Sequence, residues 1–407
     1  MRLHSIGTTG GCMLAALLLS PLQPVAADPA PASAAGSLRI AQFFFADFEY
    51  RRKLAEYTAA RQRYEAEADA YWSVVGDKRR LRMAKRRSGQ QTSPDDYVLT
   101  QPPVYSGPPP PVDPSAPEQE PPARKYVPVV ADFLSAAAQE FNFAPQPPQS
   151  EIEYKRAYAK VAAAAGLTRD QVVRIYGFES GGDGKYDVQA GLEYPRPNAR
   201  AISTALGYNQ LMAANSVELL AEKGDYFIKV LNAKAVDLTG DAKKAFERKI
   251  AVVRAMIAFS RTVPDDWNAH ERLANTSKGL GIHALNLDKD VGPLLQTQKL
   301  LDSVVYARRH GYAGTLSAAE LEMMNLTGDG NGLDMVMMPL AWRDRVPTSN
   351  FFRQGGYERN RIASRANVVA KLLAETNSRM DEEARLQGAK DLAAVFPRSG
   401  AGEARNP

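Results

Sequence analysis

The chain has a single cysteine, Cys12, in 407 residues. A lone thiol closes no internal disulfide. The four histidines (His4, His270, His283, His310) are scattered and have no cysteine partners, so a structural zinc site is not expected. His270-Glu271 is followed by Ala274 where a zinc-protease motif needs a histidine, and no glycine-rich phosphate loop occurs. No metal and no cofactor is therefore expected. Beyond the N-terminus no stretch approaches the roughly 20 apolar residues that a spanning helix requires, so the mature chain is expected to be soluble.

What is present reads as globular. Apolar residues make up 44% and charged residues 24% of the chain, proportions that support a sizeable core and exclude wholesale disorder. Residues 1–27 have the pattern of a secretory signal peptide. Arg2 and His4 precede an apolar stretch from Met13 to Leu19 with Leu22, and Val25-Ala26-Ala27 is a small-residue cleavage site before Asp28. A periplasmic or secreted location follows as an expectation. Cys12 lies ahead of the apolar run, where an anchor cysteine, which becomes the first mature residue, does not fit.

The net charge of +5 is concentrated in one place. From Asp77 to Arg87 seven basic residues and one acid give a local +6, so the remainder of the chain sums to −1. That distribution is a patch and not a basic domain, and no nucleic-acid partner is expected. Lys78 to Arg87 is expected to be either a solvated helix face or a contact with an anionic envelope surface.

Composition divides the rest. Residues 41–87 carry Phe44, Phe48, Arg51, Leu54, Tyr57, Ala60, Tyr64, Ala68, Tyr71 and Val75 at intervals of three and four, which predicts a helical hairpin or coiled arm. Residues 88–128 hold 12 of the 27 prolines and are expected to form a semi-rigid, polyproline-type spacer. Residues 151–380 are expected to form a helical domain, followed by a flexible tail at 381–407. Thr168 to Gln171 and Ser317 to Glu320 fit capping boxes, Asp241 fits a helix cap, and Asp290 precedes Pro293 at another helix start. At least six helices and an all-α fold class follow, with room for short hairpin strands between Gly182 and Ala205. Asp329 to Asp334 has the look of a calcium loop, but Leu333, Asp334 and Leu340 break the ligand pattern, and a turn is expected there.

The chemistry centres on Ile175-Tyr176-Gly177-Phe178-Glu179-Ser180-Gly181-Gly182. This places a carboxyl on the last turn of an apolar helix. Aromatic neighbours and the negative helix end both favour its protonated form, as a general acid requires. Downstream comes Ala205-Leu206-Gly207-Tyr208-Asn209-Gln210-Leu211-Met212. The glutamate-serine pair followed by this glycine-glutamine turn resembles the soluble lytic transglycosylases and goose-type lysozymes over about 45 residues, Val172 to Ser216. Tyr208 and Asn209 depart from the family's usual residues, and 30 residues separate Glu179 from Gln210, more than the family's usual spacing. The insertion reads as a flap, with Tyr186 as a sugar-stacking candidate. The family's later Tyr-Asn-Ala-Gly motif has only an echo in Met324 to Gly328. There Asn325 takes the asparagine's place, and Tyr357 is a candidate source of the missing phenol.

The resemblance implies a lysozyme-like helical domain that cleaves the glycan strands of peptidoglycan. Glu179 would be its single acid/base, and Ser180, Tyr186, Tyr208, Asn209, Gln210 and Asn325 would contact substrate. Loss of a proton to the leaving oxygen and its recovery from the muramic 6-hydroxyl would give a 1,6-anhydro end without water. Hydrolysis needs a second carboxylate across the sugar, for which Asp183, Asp187 and Glu193 are candidates. The other class of function that the sequence leaves open is a non-catalytic peptidoglycan-binding or envelope scaffold protein.

Overall fold

The computed structural model describes residues 32–116, 126–189 and 201–397, with side chains described from residue 45 onward. The signal-peptide expectation, Glu193 and the last ten residues lie outside the described residues. The fold is all-α. Among the described residues no strand forms, and the excursion near Gly182 to Ala205 contributes only the isolated bridge Gln189–Leu206, beside Leu206–Leu211. No described helix is long and apolar enough to cross a membrane.

Helix α1 (Ala32–Arg87) is one continuous helix of 56 residues, not a hairpin. It is rich in Ala and Arg and free of proline, and its last turn places Lys85, Arg86 and Arg87 at the negative end of the helix dipole. Two compact units divide the chain. In the first, Met1–Gln62 with Ser106–Glu120, Arg52 bridges Glu49 and Glu56 along α1. A groove in this unit is lined by Tyr50 and Lys53 on one side and Pro108 to Val112 on the other.

The second unit comprises Arg63–Tyr105 and Pro121–Pro407. Its helices are α2 (Val130–Phe141), α3 (Glu151–Ala164), α4 (Arg169–Ser180), α5 (Ala213–Val236), α6 (Gly240–Ser260), α7 (Trp267–Ala274) and α8 (Ser277–His283). They continue with α9 (Gly292–Arg309), α10 (Ala318–Thr327), α11 (Asp329–Met337), α12 (Leu340–Arg343), α13 (Gln354–Arg359), α14 (Arg361–Ala366), α15 (Val369–Glu383) and α16 (Gln387–Val395). Both expected capping boxes are present, at Thr168–Gln171 and Ser317–Glu320. Thr239, not Asp241, caps α6, and Asp241 lies in its first turn.

Three apolar clusters hold this unit. Phe133, Val217, Phe227, Val253 and Ile282 centre the first, between α2 and α5 to α8. Tyr154, Tyr158, Ile175, Tyr176, Leu321, Met380 and Leu392 centre the second, which draws on α3, α4, α10, α15 and α16. The third gathers Tyr97, Met335, Phe351 and Val369, with Trp72 of α1 against it.

Four expectations are corrected here. First, the basic end of α1 belongs to the second unit and is tied into it. Arg82 is buried, with Nε on Asp334 at 2.7 Å and its two Nη atoms on the carbonyls of Asp96 and Asn350, both at 2.9 Å. Lys85 holds Asp96 at 2.6 Å, Lys78 donates to the carbonyls of Asp95 and Tyr97, and Arg79 donates to those of Asn350 and Phe352. Arg80 and Arg87 remain exposed. Second, the proline stretch is not a free spacer within this unit, because Thr100 accepts from the Tyr71 hydroxyl at 3.0 Å and Tyr105 packs edge-on to Tyr64 at 5.5 Å.

Third, Asp329 to Asp334 opens α11 instead of forming a turn. Gly328, at φ 81°, reverses the chain, and a Cβ on Gly332 would stand 2.3 Å from the Met324 Cα, so α10 and α11 meet backbone to backbone. Fourth, residues 381–395 are not a tail. They end α15 and form α16, whose Ala389 and Leu392 are fully buried in the second cluster. Burial of that apolar face offsets the ordering entropy that a free tail would keep.

Candidate functional site

Glu179 sits on the last turn of α4. Gly181 ends the helix in the left-handed conformation at φ 74°, and Gly182 follows at φ 69°. Both neighbouring elements press on this turn. A Cβ on Gly177 would lie 3.2 Å from the backbone of Glu383, and one on Gly388 would lie 1.9 Å from the Gly182 carbonyl oxygen. Small residues at 177, 182 and 388 therefore let α15 and α16 close on α4 and fix where the Glu179 side chain leaves the helix.

Asn325, 146 residues away on α10, donates its amide to Glu179 Oε1 at 2.6 Å. Glu322, one turn earlier on α10 and on the same face, is fully buried beside the Glu179 carboxyl. From α15, the Arg379 guanidinium lies 4.8 Å over the Phe178 ring and donates to Glu383 at 2.8 Å. Part of the Glu179 side chain is open to solvent, yet its carboxyl is enclosed by these groups. Burial pushes the Glu179 carboxyl up to about 7. The Asn325 amide, the Glu322 carboxyl and Arg379 oppose the rise, and the Glu383 charge adds to it. Glu322 is held well above the ordinary carboxylate range, by burial first and by the Glu179 charge second.

Ser180 Oγ donates back to the Tyr176 carbonyl. Ser180 also lines a groove of about 460 Å³ with Val130, Asp183, Gly184, Lys185, Asp187 and Val188. Asp183 and Asp187, two of the candidates for a second carboxylate, thus face one cavity. Tyr186 is half-buried, its ring 5.0 Å from that of Tyr154 and its backbone N–H on Glu151.

The glycine-glutamine turn does different work from that expected. Tyr208 is buried, hydrogen-bonded to Glu151 and edge-on to Tyr154, Tyr158 and Tyr176 at 5.2, 5.2 and 4.6 Å. Asn209 is also buried, donating to the Tyr158 hydroxyl at 2.8 Å and the Gln296 carbonyl at 2.6 Å. Both were expected to face substrate and instead fix the turn to α3 and α9. Gly207 is needed because a Cβ there would meet the Gln296 amide at 2.4 Å. Gln210, at φ 45°, spends its amide on the carbonyls of Gly207 (2.7 Å) and Val188 (3.1 Å), joining the turn to the segment that carries the groove. Tyr357 packs against Trp72 and Phe352 in the third cluster, so its ring is already occupied.

Sequence reasoning brought together Glu179, Ser180 and Asn325 and missed Glu322 and Arg379. A signal for Glu322 exists, since Leu321-Glu322-Met323-Met324-Asn325 sets an acid among apolar residues three positions before the asparagine. Among the described residues no group of three His, Cys, Asp or Glu side chains is placed to hold a metal ion. Comparison with family models, curated proteins and solved structures finds no match to this chain.

Proposed function

We propose that the chain is an exported lytic transglycosylase that cuts the bond between N-acetylmuramic acid and N-acetylglucosamine in peptidoglycan, with Glu179 as acid and then base. The observation that carries this reading is the hydrogen bond from Asn325 to Glu179 at 2.6 Å. Two residues singled out by one motif resemblance, and distant in the chain, meet at one carboxyl. A carboxyl raised to about 7 by burial keeps its proton near neutral pH and can give it to the leaving glycosidic oxygen. The carboxylate so formed takes the proton of the muramic 6-hydroxyl as that oxygen closes on C1. Glu322 does not supply the opposed carboxylate of a hydrolase. It has no exposed surface, whereas the two-carboxylate mechanisms place the sugar between carboxyls roughly 5 to 9.5 Å apart.

A second reading, a peptidoglycan-binding scaffold without activity, is favoured by the engagement of Tyr208, Asn209 and Gln210 inside the fold. Incubation of purified peptidoglycan with the protein and with Glu179→Gln separates the two. The proposal expects soluble muropeptides from the first and none from the second. Binding without release from either would establish the scaffold.

A further inference from the structure

Glu322 is a buried acid without a cation. Among the described residues no N–H or hydroxyl group hydrogen-bonds to either of its carboxyl oxygens, and the residue has no exposed surface. The Asn325 amide, one turn away on α10, donates to Glu179 Oε1 at 2.6 Å. Arg379 of α15 donates to Glu383 at 2.8 Å and makes no ion pair with Glu322 among the described residues. An ionised carboxylate enclosed in this way is strongly disfavoured unless it is paired, and Glu322 lies one turn before Asn325 on the face of α10 that meets the Glu179 carboxyl. Two carboxyls in contact cannot both ionise readily, so they hold a proton between them. We propose that Glu322 is a positioning residue that shares one proton with Glu179, so that the two carboxyls titrate and act as a single acid.

The pairing gives the two carboxyls together a basicity that neither would have alone. On the reading of Glu179 as acid/base, the pair's proton goes to the leaving oxygen as the C1–O bond breaks. Two carboxylates then adjoin in a dry site. Their repulsion drives recovery of a proton from the 6-hydroxyl as the new C1–O bond forms, and the pair returns to one proton with no water used. The charged groups facing the pair are Arg379 and Glu383 on α15. On α4 and α10 the pair itself supplies the carboxyls, and substitutions at 179 and 322 leave α15 untouched.

Carboxyl-detected NMR of the full chain across a pH series tests this sharing without any substrate, so its outcome is independent of whether the protein cuts peptidoglycan. Wild type should show Glu179 and Glu322 titrating together in two steps, the upper one above the ordinary carboxylate range. In Glu322→Gln the upper step should disappear, leaving Glu179 to titrate once, at least about one pH unit below that step. Reciprocally, Glu179→Gln should reduce Glu322 to one step, which keeps the test decisive if the first variant does not fold. A Glu179 curve unchanged by Glu322→Gln, or a Glu322 curve unchanged by Glu179→Gln, would overturn the shared proton. If cleavage is established, the alkaline limb of its pH profile should move down by the same interval in Glu322→Gln, a shift that a purely structural role for Glu322 does not produce.

Discussion

Replacing Arg82 by methionine removes a buried guanidinium that makes three hydrogen bonds, to Asp334 at 2.7 Å and to the carbonyls of Asp96 and Asn350 at 2.9 Å each. It also lies over the Tyr97 ring at 4.5 Å. Methionine fills much of the space and none of the polar roles. Asp334 is left with the Tyr97 hydroxyl at 2.9 Å and a looser contact to Arg86 at 3.6 Å. Breaking one side of a buried ion pair costs about 3–5 kcal/mol, chiefly because the remaining charge stays buried and uncompensated. Urea unfolding of the full chain should show that loss as a lower midpoint. The double variant Arg82→Met, Asp334→Leu should recover most of it, since an apolar pair of similar volume leaves no orphaned charge. A loss below about 1 kcal/mol in the single variant would refute the packed role and restore the view of Lys78 to Arg87 as a solvated patch.

Three further outcomes are expected. Asn325→Ala removes the amide on Glu179 Oε1, so its carboxyl should rise further; cleavage should fall by about 10²–10³, and an unchanged rate would remove Asn325 from the site. Gly388→Ala sets a methyl group against the Gly182 carbonyl and should cost about 1–3 kcal/mol in thermal unfolding, with a variant as stable as wild type contradicting the close approach. His283 is buried, accepts from Ser216 at 2.8 Å, donates to the Thr204 carbonyl at 2.7 Å, and is lowered by burial to about 4. Because the unfolded chain binds this proton at higher pH than the folded one, stability should be full above about 6.5 and should fall by up to about 3 kcal/mol as pH drops to about 4. That acid slope should flatten in His283→Gln.

Local signals carried much of the fold. The capping boxes at Thr168 and Ser317, the Gly181-Gly182 stop and the start near Pro293 are each a few residues long, and each forms as read. Features that depend on contacts between distant segments were not legible. Lys78 to Arg87 looks the same in sequence whether solvated or packed, because its acceptors are the carboxylates of Asp334 and Asp96 and backbone carbonyls at 95–97 and 350–352. The pairing of proline stretch and helix did leave a trace: Tyr50, Tyr57, Tyr64 and Tyr71 recur every seven residues, a spacing that returns to one face. In the site, Glu179 was legible from its helix end and Asn325 from its motif. Tyr208 and Asn209 were misplaced because a motif fixes order along the chain and not the direction in which a side chain points. Helix α16 was missed because Gly388 and a flanking polar composition look like a tail until α3 and α4 are there to receive Ala389 and Leu392.

The most direct test of the central claim is mass spectrometry of the sugar ends released from purified peptidoglycan by the full chain in ¹⁸O-labelled water. Single acid/base catalysis by Glu179 predicts 1,6-anhydro muramic ends without ¹⁸O, produced by wild type and absent with Glu179→Gln. Reducing ends carrying ¹⁸O, or release that persists at the wild-type rate in Glu179→Gln, would contradict it.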